Sequence, residues 1–179
     1  MFSILTPDQF QTSTWKNGGG VTHEIARQDH GGGWLWRISL AEVSSDGPFS
    51  LFPGMFRILT IVEGEGLDIS APQGVIAARP HLPVRFSGEV PVASKMLRGP
   101  VRNLNLIYDA KAIYAEVRPV LGPDTVYTST GKVGFLCLSR RVTIGGDKVP
   151  VGAFALGSGC EIQLDAAASG ILVSLQDLA

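Results

Sequence analysis

Hydrophobic and polar positions alternate with a period of two through much of this chain, and the clearest instance spans residues 34–66, WLWRISLAEVSSDGPFSLFPGMFRILTIVEGEG. In its first half Leu35, Arg37, Ser39, Ala41 and Val43 share one face of an extended strand, while Trp36, Ile38, Leu40 and Glu42 share the other. The second face is built of large apolar groups, as a packed surface is. The first carries an arginine, a hydroxyl and small residues, as a cavity wall does. After the turn cluster SSDGP and a break at Pro53-Gly54, residues 55–63 read as another strand, with Arg57, Leu59, Ile61 and Glu63 on one face. Arg57 therefore heads a mainly apolar face.

Upstream, Thr6-Pro7-Asp8 predicts one helical turn over residues 8–12, the only helix in the pattern. Gly18 to Gly20 lead into a strand in which Val21, His23 and Ile25 alternate with Thr22, Glu24 and Ala26. Their amides suit either a tight lead-in to that strand or an anion-binding nest. Residues 30–33 predict an exposed hairpin tip. Downstream, short strands separated by Gly and Pro are expected at 67–70, 74–78, 84–86, 103–109 and 113–118, then at 125–127, 133–138, 142–144, 152–156, 161–164 and 171–175. This spacing predicts an all-β sandwich or barrel with very little helix. Beyond residue 120 the chain has no histidine and no tryptophan. Two lobes are thus expected, 1–118 carrying the chemistry and 119–179 a degenerate half sharing its core, with the boundary near Pro119 to Pro123.

A chain of 179 residues that is 45% hydrophobic has material for a sizeable interior. A net charge of −1 with 17% charged residues provides no basic footprint for nucleic acid or anionic membrane. MFSILTPDQF lacks a basic leader, and no run approaches a membrane span, so a cytoplasmic location is expected. Cys137 and Cys160 are too sparse for a disulfide framework and read as reduced core residues.

The candidate chemistry lies on the alternating faces. Thr22 and Glu24, Arg37 and Ser39, Arg57, and Asn103 and Asn105 can converge in one interior. An arginine in an apolar cavity needs a partner. Glu24 is available for one of the two, which leaves the other to accept an anion; a forked guanidinium–carboxylate contact would suit a small dicarboxylate or acylamino acid. The competing reading is a buried network of Glu24, Arg37 and Arg57 that only holds the strands in register. Catalysis has less support. His23, His30 and His81 are scattered, and neither Ser39 nor Ser50 has a histidine marked as its base.

Residues 47–66, a strand, a turn and a strand ending in Val62-Glu63-Gly64-Glu65-Gly66, resemble the first motif of the cupin superfamily. Matched to that motif, the metal-ligand positions fall on Leu51, Pro53 and Arg57, and the second motif's histidine falls near Val84; none offers a ligand. No metal and no other cofactor is expected. At finer grain, the words WKNGGGVTHE, WRISLAEV, GPFSLFPG, Arg57, GEG and LRGPVRNLNL occur in an order that resembles the HutD/Ves family, most specifically over the first 110 residues. That resemblance implies a metal-free bicupin of two small jelly-roll barrels and a link to histidine utilisation. It also implies binding or regulation by a small molecule such as N-formylglutamate or urocanate. The family often has Asp where this chain has Asn103.

Taken together, the residues and the resemblance predict a ligand cavity in the N-terminal lobe lined by Glu24, Arg37, Ser39, Arg57 and Asn105. Trp15 or Phe49 is expected to cover its mouth, and Asn17, in the same glycine-rich word, joins the ligand-binding set. The expected partner is a small anionic metabolite, bound by a regulator rather than transformed. A metal-independent isomerase or hydrolase of a small acid is the alternative, and a protein-interaction module a third class. Exposed strand edges make a homodimer a further expectation.

Overall fold

The computed structural model describes residues 2–128, 131–139 and 142–178. Among these the chain runs through 19 strands. The first eleven are β1 (Ser3–Leu5), β2 (Gln11–Thr14), β3 (Gly20–His30), β4 (Gly33–Val43), β5 (Gly47–Pro48), β6 (Phe56–Glu63), β7 (Leu67–Ala71), β8 (Gly74–Ala78), β9 (Val84–Ser87), β10 (Ala93–Met96) and β11 (Val101–Tyr108). The remainder are β12 (Ile113–Leu121), β13 (Asp124–Thr128), β14 (Lys132–Cys137), β15 (Val142–Ile144), β16 (Asp147–Val149), β17 (Phe154–Gly157), β18 (Cys160–Leu164) and β19 (Ser169–Asp177). No helix among the described residues is long and apolar enough to cross a membrane.

Two compact units result, one of Gln11–Ala112 and one formed by the chain up to Phe10 together with everything from Ile113 onward. This differs from the expected division at 118/119 for two reasons. β1 pairs antiparallel with β17, Ser3 opposite Leu156 and Leu5 opposite Phe154, which assigns the N-terminus to the later unit. Residue 118 lies inside β12, which pairs with β19 from Ile113 to Leu121. Pro119 is tolerated there because β12 is the edge of its sheet, where a missing N–H costs no ladder bond.

In the unit Gln11–Ala112 a six-stranded sheet, β2-β3-β4-β11-β6-β9, faces a four-stranded sheet, β5-β10-β7-β8. The apolar core lies between them: Val43, Leu59, Ile61 and Val101 from the first meet Leu67, Ile69 and Ala78 from the second. The opposite face of the larger sheet carries Trp36, Ile38, Leu40, Leu104 and Leu106, all buried, as the alternation requires. β3 and β4 form a hairpin whose tip, Gly31-Gly32, has φ of +55° and +83°; both positive angles suit the two-residue turn that matches strand twist. The other unit repeats the plan with β1-β17-β14-β19-β12 and β13-β18-β15-β16 around Phe135, Cys137, Ile144, Ile162 and Leu172.

The fold is all-β and cupin-like, yet no sheet closes into a barrel among the described residues. The edges explain this. β5 is two residues long and ends in Pro48, which has no N–H to donate, and between β8 and β9 the chain meets β6 through the isolated bridge Ile61–Pro80. The expected helix over 8–12 is also replaced. Pro7–Gln9 makes a 3-10 turn in which the Thr6 amide donates to Gln9 Oε1 at 2.9 Å, and Gln11–Thr14 pairs with β3 as β2. Ladder pairing with β3 outweighs the local capping signal.

Gly20 opens β3 at a point of close approach. A Cβ there would meet the carbonyl oxygen of Glu42 and lie 3.1 Å from the Trp15 ring. Gly20→Ala is expected to destabilise the protein by about 1–3 kcal/mol through overpacking, measured as a lowered denaturant midpoint. An unchanged midpoint would contradict this packing.

Candidate functional site

The period-two alternation of β3, β4, β11 and β6, combined with their antiparallel registers, arranges the inward face of the larger sheet in rows. One row is Thr22, Ala41, Asn103 and Ile61; the next is Glu24, Ser39, Asn105 and Leu59; the third is Arg27, Arg37, Ile107 and Arg57. Leu59 and Ile61 join the apolar core, and the polar members other than Glu24 and Arg27 border a cavity of about 540 Å³. Its lining includes Thr22, Arg37, Ser39, Arg57, Asn103 and Asn105 from the sheet, Ser13 to Asn17 from the end of β2 and the following turn, and Pro48, Phe49, Ser50 and Phe52 from β5 and the loop after it.

Of the eight residues expected at the site, Trp15, Asn17, Arg37, Ser39, Phe49, Arg57 and Asn105 line this cavity. Glu24 does not. It shares a row with Ser39, but its carboxylate sits 3.7 Å from Arg27 Nη1, and a bulge after Glu24 brings Arg27 into register with Arg37. Arg27 in turn holds Asp29 at 2.9 Å through Nε. The expected pairing of Glu24 with a cavity arginine is therefore not formed. The glycine run does not form an anion nest: Gly18 N donates to Trp15 O and Gly19 N to Asn17 Oδ1, both at 3.0 Å, which leaves the tight lead-in. Trp15 is fixed by donating from Nε1 to Thr22 Oγ1 at 2.8 Å, and its ring meets Phe49 edge-on at 6.4 Å.

The two arginines occupy different surroundings on one row, separated by two strand spacings, about 10 Å between backbones. Arg57 is 5% exposed. Its guanidinium lies over Phe49 (4.8 Å), Phe86 (5.3 Å) and Phe52 (5.6 Å), Nη1 donates a long 3.5 Å bond to Ser50 O, and Nε is buried without a partner. Burial, reinforced by the positive charge of Arg37, pushes the Arg57 pKa down to about 10. Arg37 stacks over Trp34 and the same Phe52, each at 5.2 Å, and its Nε is likewise buried and unpartnered. Burial also lowers the Arg37 pKa, against the attraction of Glu24 and with the repulsion of Arg27. Aromatic faces thus stand in for the counter-ion that buried guanidinium groups ordinarily require. Among the described lining residues the charges are Lys16, Arg37 and Arg57, and there is no carboxylate.

Other candidate chemistry falls away from this cavity. No histidine lines it. The ring of His23 is engaged by Thr12 Oγ1 at 2.9 Å and Glu42 Oε1 at 3.3 Å, while His30 and His81 are exposed. Cys137 is buried in the core, but Cys160 is only partly buried; both are free thiols, and burial raises both pKa values. Among the described residues no group of three His, Cys, Asp or Glu could hold a metal. Residues that the strand pattern did not single out include Lys16, Pro48 and Phe52, which come from segments with no alternation to mark them.

This architecture is that of a cupin-like all-β protein. The pirin YhhW of Escherichia coli, solved in complex with nickel(II), shares it with a TM-score of 0.68 at 9% identity, covering 99% of each chain. The HutD family model matches residues 7–174, and the chain belongs to that family. HutD from Pseudomonas fluorescens SBW25 superposes with a TM-score of 0.90 over 100% of both chains at 25% identity. The conserved protein of unknown function PA5104 from Pseudomonas aeruginosa PAO1 gives 0.89 at 26% identity, covering 98% of this chain and 99% of its own. The uncharacterised 21.2 kDa protein in the hutC 3′ region of Pseudomonas putida is 35% identical over 146 residues, 79% of this chain and 76% of that protein.

Because Arg57 forms no ion pair among the described residues, Arg57→Met is expected to leave the ligand-free protein folded, with a stability unchanged or raised by up to about 1–4 kcal/mol. It should abolish any stabilisation by a small carboxylate. Thermal melts with and without the anion check this; a ligand-free variant that fails to fold would show that Arg57 is a structural requirement instead.

Proposed function

We propose that the protein binds a small carboxylate metabolite in the cavity of the unit Gln11–Ala112, in a regulatory role linked to histidine utilisation. The observation that carries this reading is the charge of the wall: among the described lining residues stand two arginines, each with a buried, unpartnered Nε, and one lysine, with no carboxylate. Binding an anion there would supply the missing counter-charge inside a low-dielectric enclosure, where guanidinium–carboxylate contacts are strong and directional. Trp15, Phe49 and Phe52 provide flat apolar walls for the body of the ligand. The relative in the hutC 3′ region supports the metabolic setting, and N-formylglutamate and urocanate, each a carboxylate small enough for about 540 Å³, are the leading candidates.

A metal-independent isomerase or hydrolase would need a base beside its substrate. Ser39 and Ser50 line the cavity without an imidazole next to them, so no specific observation favours turnover over binding.

Melting the protein with N-formylglutamate, urocanate, glutamate or histidine tests the reading. At about one hundred times the dissociation constant the true ligand should add roughly 2.7 kcal/mol of stability. The dependence on pH follows from Arg57. The fold disfavours its charged form, so the unfolded chain keeps that proton to higher pH, and the ligand-free protein gains stability as the pH rises through about 10. An anion favours the charged form. Its stabilising effect should therefore be intact at about pH 8 and decline as the pH passes about 10. No stabilisation beyond that of an equal ionic strength of chloride would overturn the proposal.

A further inference from the structure

We infer that Arg27 is a positioning residue for the anion site: it holds the Glu24 carboxylate off Arg37 and so keeps that guanidinium open to a ligand, an inference that rests on the anion-binding reading above. Arg27 itself does not line the cavity, and its side chain is 48% exposed. Glu24 stands opposite Ser39, two residues along β4 from Arg37. Diagonal neighbours of this kind lie about 7–8 Å apart, within reach of two long side chains. The attraction of Glu24 is felt at Arg37, yet among the described residues Arg37 forms no ion pair. Arg27 takes the carboxylate instead, with Nη1 at 3.7 Å from Glu24 Oε1. Asp29 Oδ1, 2.9 Å from Arg27 Nε, anchors the guanidinium in that position.

The backbone is shaped to put Arg27 there. Regular pairing onward from Glu24 and Ser39 would set Ala26 opposite Arg37; the register shift between Glu24 and Ala26 sets Arg27 opposite it instead. Two arginines directly across a ladder repel each other, and Arg27 does help to lower the Arg37 pKa. The strand pair gains no stability from that juxtaposition, and local conflicts of this kind mark functional positions. What it does achieve is electrostatic. Arg27 draws off the one carboxylate on these rows and adds positive charge beside the site. Without Arg27, the neighbouring cation left to Glu24 is Arg37, and an ion pair between them would occupy the group that the ligand needs.

A double-substitution cycle of Arg27→Gln and Glu24→Gln tests this, with N-formyl-L-glutamate and glutarate as calorimetric probes and the arginine Nε–H NMR spectrum recorded without ligand. Arg27 is half exposed and glutamine has the shape of Glu24, so both changes keep the packing of the sheet. Arg27→Gln should weaken binding about fivefold or more. In the ligand-free protein it should also move the Arg37 Nε–H signal as Glu24 swings onto that group. Adding Glu24→Gln should restore most of the affinity and return the signal, whereas Glu24→Gln alone should change the affinity by no more than about twofold. If Glu24→Gln changes the affinity by the same factor with and without Arg27, Arg27 acts only as a distant charge and the positioning role is overturned. Unchanged affinity in Arg27→Gln overturns it too, as does an Arg37 signal that is the same in Arg27→Gln and in the double variant. Absence of saturable binding of both probes by the wild type removes the anion site itself; the ligand-free spectra then decide whether Arg27 restrains Glu24.

Discussion

The character of the cavity in the unit Gln11–Ala112 is set by the burial of the Arg57 guanidinium, with no carboxylate among the described lining residues. Moving a bare cation out of water costs several kcal/mol, and an ion pair is the usual remedy. Here three phenylalanine rings, Phe49, Phe52 and Phe86, surround the group, each worth on the order of 0.5–2 kcal/mol as a cation–π contact. That partial compensation keeps the charge while leaving its hydrogen-bonding capacity unspent. Phe52 also stacks on Arg37, so one ring links both cations and sets the loop after β5 against the sheet. The cavity is thus a consequence of the same packing that makes the arginines tolerable.

The cupin-like scaffold suits this. Two facing sheets supply an apolar interior, and the strand alternation delivers side chains into it at fixed intervals. Where the sequence resemblance to the cupin motif would put a metal-binding carboxylate, this chain has the cation Arg57, with Asn103 and Asn105 on the neighbouring strand. Under the proposed function that guanidinium, with Arg37 and Lys16, gives the wall the charge that suits an anion.

Much of this was legible in the sequence because it obeys a period of two. β4, β6 and β11 were read close to their observed bounds, and Arg37, Ser39, Arg57 and Asn105 were placed on the correct faces for that reason alone. What failed was non-periodic or decided by pairing elsewhere. β1, β2, β5 and β16 have two to four residues each, too short to show alternation, and β2 followed a capping signal that its ladder with β3 overrode. Glu24 has the parity of a cavity residue, but its neighbour Arg27 engages it. Phe52 and Lys16 lie in turns, where only the folded loop reveals what faces inward. The expected all-β jelly-roll type is found as pairs of sheets, none of which closes into a barrel among the described residues; in the unit Gln11–Ala112 Pro48 and the short β5 end the ladder.

The central claim is that Arg37 and Arg57 are held uncompensated for an anion. The most direct measurement is a nitrogen-resolved NMR titration of the arginine Nε–H resonances with a small carboxylate. The account predicts that the Arg37 and Arg57 signals shift together and saturate with a single dissociation constant, while Arg79, already paired with Asp68 at 2.7 Å, stays in place. Shifts confined to exposed arginines, or none at Arg57, would contradict it.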